Sequence, residues 1–501
     1  MKINNTYIKH LVIFQICLLI YSSDCFSQVL DSSFGTNGKV LIPIENTDQG
    51  NSVDIQSDGK IIVGGYSVNS SSQQDLSIIS LNTNGSLNTN FNSTGKKILS
   101  LTSNGGRCNS VKVSGTSIIA VGYTEDATTS YSGIADLDFA GNYNSTFNTN
   151  GQKYFSTLTN NDLTTSSCIE KSSGSIYTLA NSYVSSSDIS ISKVKTDGNF
   201  DNAFNTTGKL VLTLGHYFSI ISQSDGKVII CGNDGTNFSV IRLNSNGSYD
   251  NTFGTSGKVS LSFGSTNDAG YSLALQKDGQ ILVGGIGNSQ FVIVRLNKTD
   301  GALDATFANN GKLQFSFGGV TDACNSITVD TFASANKILA VGYSLKSGVS
   351  NFATARIDLS GNIEAKAIES VGNGISVAKG VAIQSDSKVV VAGYASNGTD
   401  DDFAVIRLLP NFVTTGITET EVTINAGVNI FPNPTSYQLN IHSSYNISNI
   451  AIYNTLGELV LYMVNNNDVS SIIDISSLNK GVYTAVITTN KGNAVKKVVK
   501  Q

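Results

Sequence analysis

From about residue 29 to residue 410 the chain is a succession of short apolar runs, alternating or β-branched, separated by connections rich in Asn, Asp, Ser and Gly. No helical periodicity of any length interrupts them. In the first full unit Asn51 to Gln56 alternates, Lys60 to Tyr66 is a β-branched run, Leu76 to Leu81 alternates again, and Lys96 to Leu101 is a fourth short run. The connections are Ser57-Asp58-Gly59, a polar loop at 69 to 74, and the Asn- and Gly-rich stretch Asn82 to Gly95. These residues tolerate positive φ or bond their own backbone, so they turn the chain. The unit predicts four strands in one antiparallel meander.

The unit then repeats, seven times in all, at an uneven period of about 50 to 60 residues, a spacing that belongs to propellers, solenoids and arrays. One phrase couples a phenylalanine to a following glycine: Phe34 with Gly38-Lys39, Phe91 with Gly95-Lys96, Phe147 with Gly151, Phe204 with Gly208-Lys209, Phe253 with Gly257-Lys258, Phe307 with Gly311-Lys312. A second is a turn followed by an apolar run ending in glycine, as in Asp58-Gly59-Lys60 to Gly65 or Asp225-Gly226-Lys227 to Gly232. Four-stranded sheets set around an axis form a β-propeller. The inner strands fall near residues 51, 108, 166, 217, 270, 324 and 378, and the seventh unit stops after three strands at Arg407-Leu408. Its missing outer strand is predicted to be Gly38 to Ile44, so that the N-terminal strand closes the ring; Pro43 fits an outer edge, where no N–H is demanded of it. The sixth unit is degenerate, with Gly361 to Ser370 in place of the Phe-Gly phrase.

The wording of the unit, most plainly Leu296-Asn297-Lys298-Thr299-Asp300-Gly301-Ala302-Leu303-Asp304-Ala305-Thr306-Phe307, resembles the delta-60 repeat family of β-propeller-like extracellular proteins over residues 29 to 409. That resemblance implies a fold and no single activity.

The two ends read as addresses. Lys2 and Lys9 flank the start, Leu11 to Ile20 is apolar, and Cys25-Phe26-Ser27 has a small-x-small character, so residues 1–27 are expected to be a secretory signal cleaved between Ser27 and Gln28. Lipidation at Cys25 is the alternative, which Asp24 disfavours. The apolar run is too short for a stable membrane anchor, and no transmembrane segment is expected in the mature chain. Residues 411–424 read as a linker. Residues 425–501 change character, with Phe431-Pro432-Asn433-Pro434, then Gly457 in a turn, then Asp474, Leu478, Gly481 and Tyr483 in a closing phrase. Without any family this is a small sandwich of about seven strands. The three phrases together resemble the C-terminal sorting domain of type IX secretion in Gram-negative bacteria. The resemblance implies the type IX machinery as a partner, and a secreted or outer-surface location.

Charged residues are 14% of the chain and the formal net charge is −5, so no basic stripe for nucleic acid is present. Cys108, Cys168, Cys231 and Cys324 remain after signal removal, with no Cys-x-x-Cys pair; they read as small buried apolar residues, with a disulfide left open. Mature histidines are His216 and His442 alone, too few for a Ser-His-Asp hydrolase or a histidine metal site, and no cofactor or metal is implied. Asn244 to Asp250 has oxygen-rich spacing but lacks the carboxylates and late Glu of a calcium loop, and Asn-Gly at its centre is a standard turn. Arg242, Arg295, Arg356 and Arg407 share one register, as do the recurring phenylalanines, so both sets read as structural. A residue confined to a few blades is a better candidate for a site. The loops entering the inner strands carry Asp48, Arg107, Asp162, Asp268 and Asp322, with Tyr271 beside Asp268; Asp48, Arg107, Asp268, Tyr271 and Asp322 make a candidate ligand-binding rim. The first reading is a non-catalytic binding or adhesion scaffold for an extracellular glycan or protein. The alternatives are a polysaccharide-acting enzyme using the axial carboxylates, and a structural filler of an exported matrix.

Overall fold

The computed structural model describes residues 29–158, 162–182, 187–332, 336–412, 427–454, 459–489 and 492–501. The expected signal segment with Ser27 and Gln28, nearly all of the expected linker, and Gly457 of the sorting motif lie outside the described residues. The chain divides into two units, Met1–Thr415 and Gly416–Gln501.

The first unit holds seven four-stranded antiparallel sheets. Blade 1 is Thr47–Ile55, Ile61–Val68, Gln74–Leu81 and Lys96–Leu99, paired in that order, and blades 2 to 6 repeat it. In blade 7 the strands Ser376–Ile383, Val389–Ser396 and Asp401–Leu408 are completed by Lys39–Ile42, with Lys39 opposite Ile406 and Ile42 opposite Phe403. The ring therefore closes through the N-terminal strand as expected, and the strand ends one residue before Pro43, which has no N–H to continue the ladder. The sixth outer strand, in the degenerate unit, is Ile363–Glu369 paired with Val349–Ile357. Second strands such as Ile281–Gly287 are buried along their whole length, because neighbouring blades cover both faces. That is why they read as β-branched runs and not as alternation.

The second unit is one continuously bonded set of strands folded into a sandwich. Gln438–Tyr453 and Leu459–Asp474 each bend, so that residues 438–442 pair with 470–474, and 449–453 pair with 459–464. Counting each bent strand as two restores the seven strands read from the sequence. Both halves pack on one core, with Leu439 and Ile441 from one and Ile450, Ile452 and Ile487 from the other.

Between propeller blades the repeated arginines act as staples. Arg407 Nε lies 2.9 Å from Asp31 Oδ2, its guanidinium stacks over the Phe34 ring at 4.7 Å, and Nη1 donates to the Thr83 carbonyl of blade 1. Arg242 does the same with Asp250 at 2.7 Å, Phe253, and the carbonyls of Lys298 and Thr299. Arg295 uses Asp304, Phe307 and the Leu359 carbonyl. Arg356 pairs with Glu364 and reaches the Pro410 carbonyl, and its ring partner is Phe412. Phe412 is buried, which corrects its assignment to a linker: the degenerate sixth unit lacks its own phenylalanine, and the chain beyond the last blade supplies one. Lys193 bridging Glu170 and Asp201 takes the position in blade 3, and the neutral pair Ser80 and Asn88 takes it in blade 1.

Burial would raise the Asp31 carboxyl, but two hydrogen bonds from Ser33 and the charges of Arg407 and Lys388 outweigh it and hold the group at about 2, below its ordinary 3.8. A carboxyl lowered on folding stabilises the fold above its unfolded value, and that contribution is lost as pH falls toward the folded value. Arg407→Met should therefore cost about 3–5 kcal/mol, because it leaves Asp31 buried without its counter-ion. Denaturant unfolding would measure this. Asp31→Asn should also destabilise at neutral pH, with its deficit against the wild type shrinking as pH drops from 3.8 toward about 2; a deficit independent of pH would contradict the assignment.

Candidate functional site

Every inner strand carries a β-bulge at one equivalent position. The register shifts between Gly50 and Ser52, Cys108 and Ser110, Thr164 and Ser166, Tyr217 and Ser219, Gly270 and Ser272, Cys324 and Ser326, and Ala378 and Gly380. The extra residue re-aims its side chain, and the seven together form a ring about the axis: Asn51, Asn109, Thr165, Phe218, Tyr271, Asn325 and Lys379. Several reach to the next blade, as Asn51 Nδ2 does to the Cys108 carbonyl at 3.1 Å, Asn109 Nδ2 to the Thr164 carbonyl at 2.8 Å and Asn325 Nδ2 to the Ala378 carbonyl at 2.8 Å. Phe218 and Tyr271 pack edge to face at 5.2 Å.

The bulge also explains the glycine that ends the second-strand run in every blade but blade 3, which has Ala180 there. It drives an inner-strand carbonyl onto the partner strand, where a Cβ on Gly122 would lie 1.8 Å from the Arg107 oxygen and one on Gly342 1.9 Å from the Ala323 oxygen. Below the bulges the inner strands enclose an axial cavity of about 1280 Å³, which runs to the turns near Gly59, Gly115 and Gly174.

The predicted rim divides. Asp48, Asp268 and Asp322 have no exposed surface, which corrects the reading of them as an open carboxylate set. The loop entering each inner strand leaves backbone N–H groups without ladder partners, and the aspartate accepts them. Asp48 Oδ2 takes Ile44 N at 2.6 Å, Asp268 Oδ2 takes Phe263 N at 2.6 Å, and Asp322 Oδ2 takes Phe317 N at 2.8 Å. Asp162 does the same for Thr157 N at 2.7 Å. Tyr271 is the bulged residue of blade 5 and lines the cavity. Arg107 is half-buried near the axis; its guanidinium lies 4.3 Å over the Tyr66 ring, and Nε donates to Gln74 Oε1 at 2.5 Å.

Around Arg107 the structure assembles a group that sequence reasoning missed. The residue after the second-strand glycine is tyrosine in four consecutive blades, as Tyr343, Tyr394, Tyr66 and Tyr123 of blades 6, 7, 1 and 2. Blades 3, 4 and 5 carry Asn181, Asn233 and Ile286 there. Burial pushes all four phenols up; Arg107 opposes this at Tyr66 and Tyr123, and Asp401 adds to it at Tyr66 and Tyr394. They therefore stay neutral donors at physiological pH. Gln49 Nε2 donates to Asp401 Oδ2 at 2.8 Å and ties blade 1 to blade 7 in the same sector. Comparing the seven repeats at this one register would have found the set.

Residues 56–91, 223–253, 276–307 and 384–411 match the family described as domain of unknown function (DUF5122) beta-propeller, and residues 429–501 match the secretion system C-terminal sorting domain. The chain is a repeat β-propeller with a type IX sorting tail. Among curated proteins none matches the sequence. Of solved structures, a streptogramin B lyase is similar at 13% identity over 74% of this chain and 97% of its own, with a TM-score of 0.46. Sqt1 from Chaetomium thermophilum is 12% identical over 80% and 97%, at 0.41. A calcium-binding regucalcin from Agrobacterium tumefaciens is 12% identical over 75% and 96%, at 0.36. These likenesses carry neither activity nor ligand across to the propeller.

In the sorting domain Phe431, Pro432, Asn433 and Pro434 are exposed, and Asn433 clamps the last strand by donating to the Lys497 carbonyl at 2.5 Å and accepting Val499 N at 2.8 Å. Asp474 Oδ1 accepts Ser476 N at 2.8 Å, and Tyr483 packs inward with its hydroxyl on the Asn479 carbonyl. Leu478 and Gly481 are half-buried between them. In the propeller the four cysteines are free thiols in the core, where burial pushes those of Cys108, Cys168 and Cys324 up to about 12. The Asn244 to Ser248 connection is a turn, with Asn246 Oδ1 accepting Ser248 N at 3.0 Å and Gly247 at φ 87°. Among the described residues no group of three or more His, Cys, Asp or Glu is placed to hold a metal ion.

The bulge geometry leaves no room for a Cβ at Gly342 without a backbone shift. Gly342→Ala should lower stability by about 2–3 kcal/mol through overpacking, read as a fall in the thermal midpoint. Ala180→Gly, at the corresponding place in blade 3, should cost about 1 kcal/mol or less.

Proposed function

We propose that this protein is a binding module exported to the outer surface of a Gram-negative bacterium or into its medium, with a propeller that engages an extracellular glycan or protein without transforming it. The route begins with residues 1–27 as a signal peptide and ends with the sorting domain read by the type IX machinery. The reading rests on the tyrosines of blades 6, 7, 1 and 2 around Arg107. They occupy four consecutive blades, as the stapling arginines do in blades 4 to 7, but the arginines spend their guanidinium groups on bonds between blades. The half-buried Tyr343, Tyr394 and Tyr123, with the buried Tyr66 supporting Arg107 from beneath, offer flat apolar faces and directional hydrogen bonds beside arginine, glutamine and aspartate, which suits a sugar ring or an aromatic-rich peptide. The enzymatic alternative depended on Asp48, Asp268 and Asp322, which are buried and each accept at least one backbone N–H group.

A screen of the full chain against glycans and envelope proteins should return a partner whose affinity falls by about tenfold or more with Tyr66→Ala or Arg107→Ala. Asp268→Asn should lower the unfolding midpoint and leave affinity per folded molecule unchanged. Turnover of a polysaccharide that this variant abolishes while folding normally would instead establish the enzyme.

The sorting domain should be removed on export. Mass spectrometry of the exported protein is expected to find chains lacking Gln501 and starting at Gln28; a surface form that always retains Gln501 would exclude processing.

A further inference from the structure

The ring of bulged residues contains one charge. Asn51, Asn109, Thr165 and Asn325 spend their polar groups on a neighbouring blade, and Phe218 and Tyr271 pair with each other. Lys379, the bulged residue of blade 7, lines the axial cavity and has neither a hydrogen bond nor an ion pair among the described residues. The charged neighbour that Lys379 feels is Arg107, of the same sign, and no counter-charge pairs with it among the described residues. Burial and then Arg107 both push the lysine below its ordinary range.

The rest of the cavity has the same bias. Lys112 and Lys171 also line it, and neither is in an ion pair among the described residues. The carboxylates on its wall are already engaged. Asp54 accepts Val113 N at 2.8 Å and Ile55 N at 2.9 Å, and Glu170 pairs with Lys193 at 3.0 Å. The channel wall thus carries three lysines outside any ion pair among the described residues, Lys112, Lys171 and Lys379, against one such carboxylate, Asp54, in a chain of formal net charge −5. At about 1280 Å³ the channel exceeds the range of a pocket for a single small molecule. Its wall carries an aromatic pair in blades 4 and 5, at the bulge level of the lysine in blade 7.

We propose that this axial channel is an anion-binding site for an acidic saccharide, with the Lys379 ammonium holding the carboxylate and the Phe218–Tyr271 pair facing the sugar ring. The site adjoins the tyrosine sector, since Arg107 is the charged neighbour of Lys379 and Tyr343 packs with Phe218 and Tyr271; the Lys379 variants leave Tyr66 and Arg107 in place, so the two readings are tested separately.

The test is calorimetric titration of the full chain at low salt with trigalacturonate, with neutral galactotriose and with inorganic phosphate, on the wild type, Lys379→Met, Lys379→Gln and Lys379→Arg. Trigalacturonate should bind the wild type and Lys379→Arg, weaken with added salt, and lose about tenfold or more in affinity on Lys379→Met and Lys379→Gln. The two neutral variants should unfold at the wild-type temperature or above it, because an uncompensated charge has been removed; a lower midpoint would mean that Lys379 holds the fold and would overturn its assignment to a ligand. Equal binding of galactotriose, undiminished binding by the neutral variants, or no binding of any probe to the wild type would each overturn the site. Phosphate binding as tightly as trigalacturonate would overturn the saccharide as its occupant.

Discussion

A ring of sheets has no free ends only if its last blade finds its first, and here one guanidinium joins the pieces that must meet. Arg407 stands on the third strand of blade 7, its counter-ion Asp31 precedes the N-terminal strand, and its second donor reaches blade 1 at Thr83. Three distant parts of the sequence are thereby fixed by one buried charge. The β-pairing of Lys39–Ile42 to blade 7 supplies the register, and the arginine network supplies the directionality that apolar contacts between blades lack. Most other blades repeat the device with small changes, and blade 6 borrows Phe412 to do so. The axial cavity, the bulge ring and the tyrosine sector all depend on this closure, since each is built from several blades.

Repetition separates what holds the ring from what uses it. Stapling arginines and core phenylalanines recur because every interface between blades poses the same problem. The entering loops likewise leave N–H groups unpaired, and in four blades a buried aspartate answers them. That aspartate resembles a catalytic carboxylate in sequence, yet it is buried and accepts backbone N–H groups. The residues that break the pattern are Tyr343, Tyr394, Tyr66, Tyr123, Arg107 and Lys379.

The bulge links these two levels. It costs each inner strand one ladder position and obliges the second strand to carry a glycine at nearly every repeat. In return it turns one side chain per blade away from regular pleating, toward the axis or the next blade. At those positions the propeller diverges most, from asparagine through aromatic to lysine, while the glycines opposite hardly change.

Much of the architecture was legible in the sequence alone, because turn residues and strand alternation are local and the repeat multiplies each signal seven times. The seven blades, the closing strand, the structural role of Arg242, Arg295, Arg356 and Arg407, and the sorting domain all follow from patterns along the chain. The environment of each side chain does not. Asp48, Asp268 and Asp322 share a register that the sequence displays, but whether their carboxylates face solvent or backbone is decided by how the entering loop folds over the inner strand. Phe412 lies beyond the last repeat, and only packing shows that it fills the place left empty in the sixth. Lys379 is an ordinary lysine on an alternating strand until the bulge and the six other blades place it against the axis. Local structure is written in neighbours along the chain, whereas burial and charge at a site depend on residues hundreds of positions apart, and tertiary structure alone brings those together.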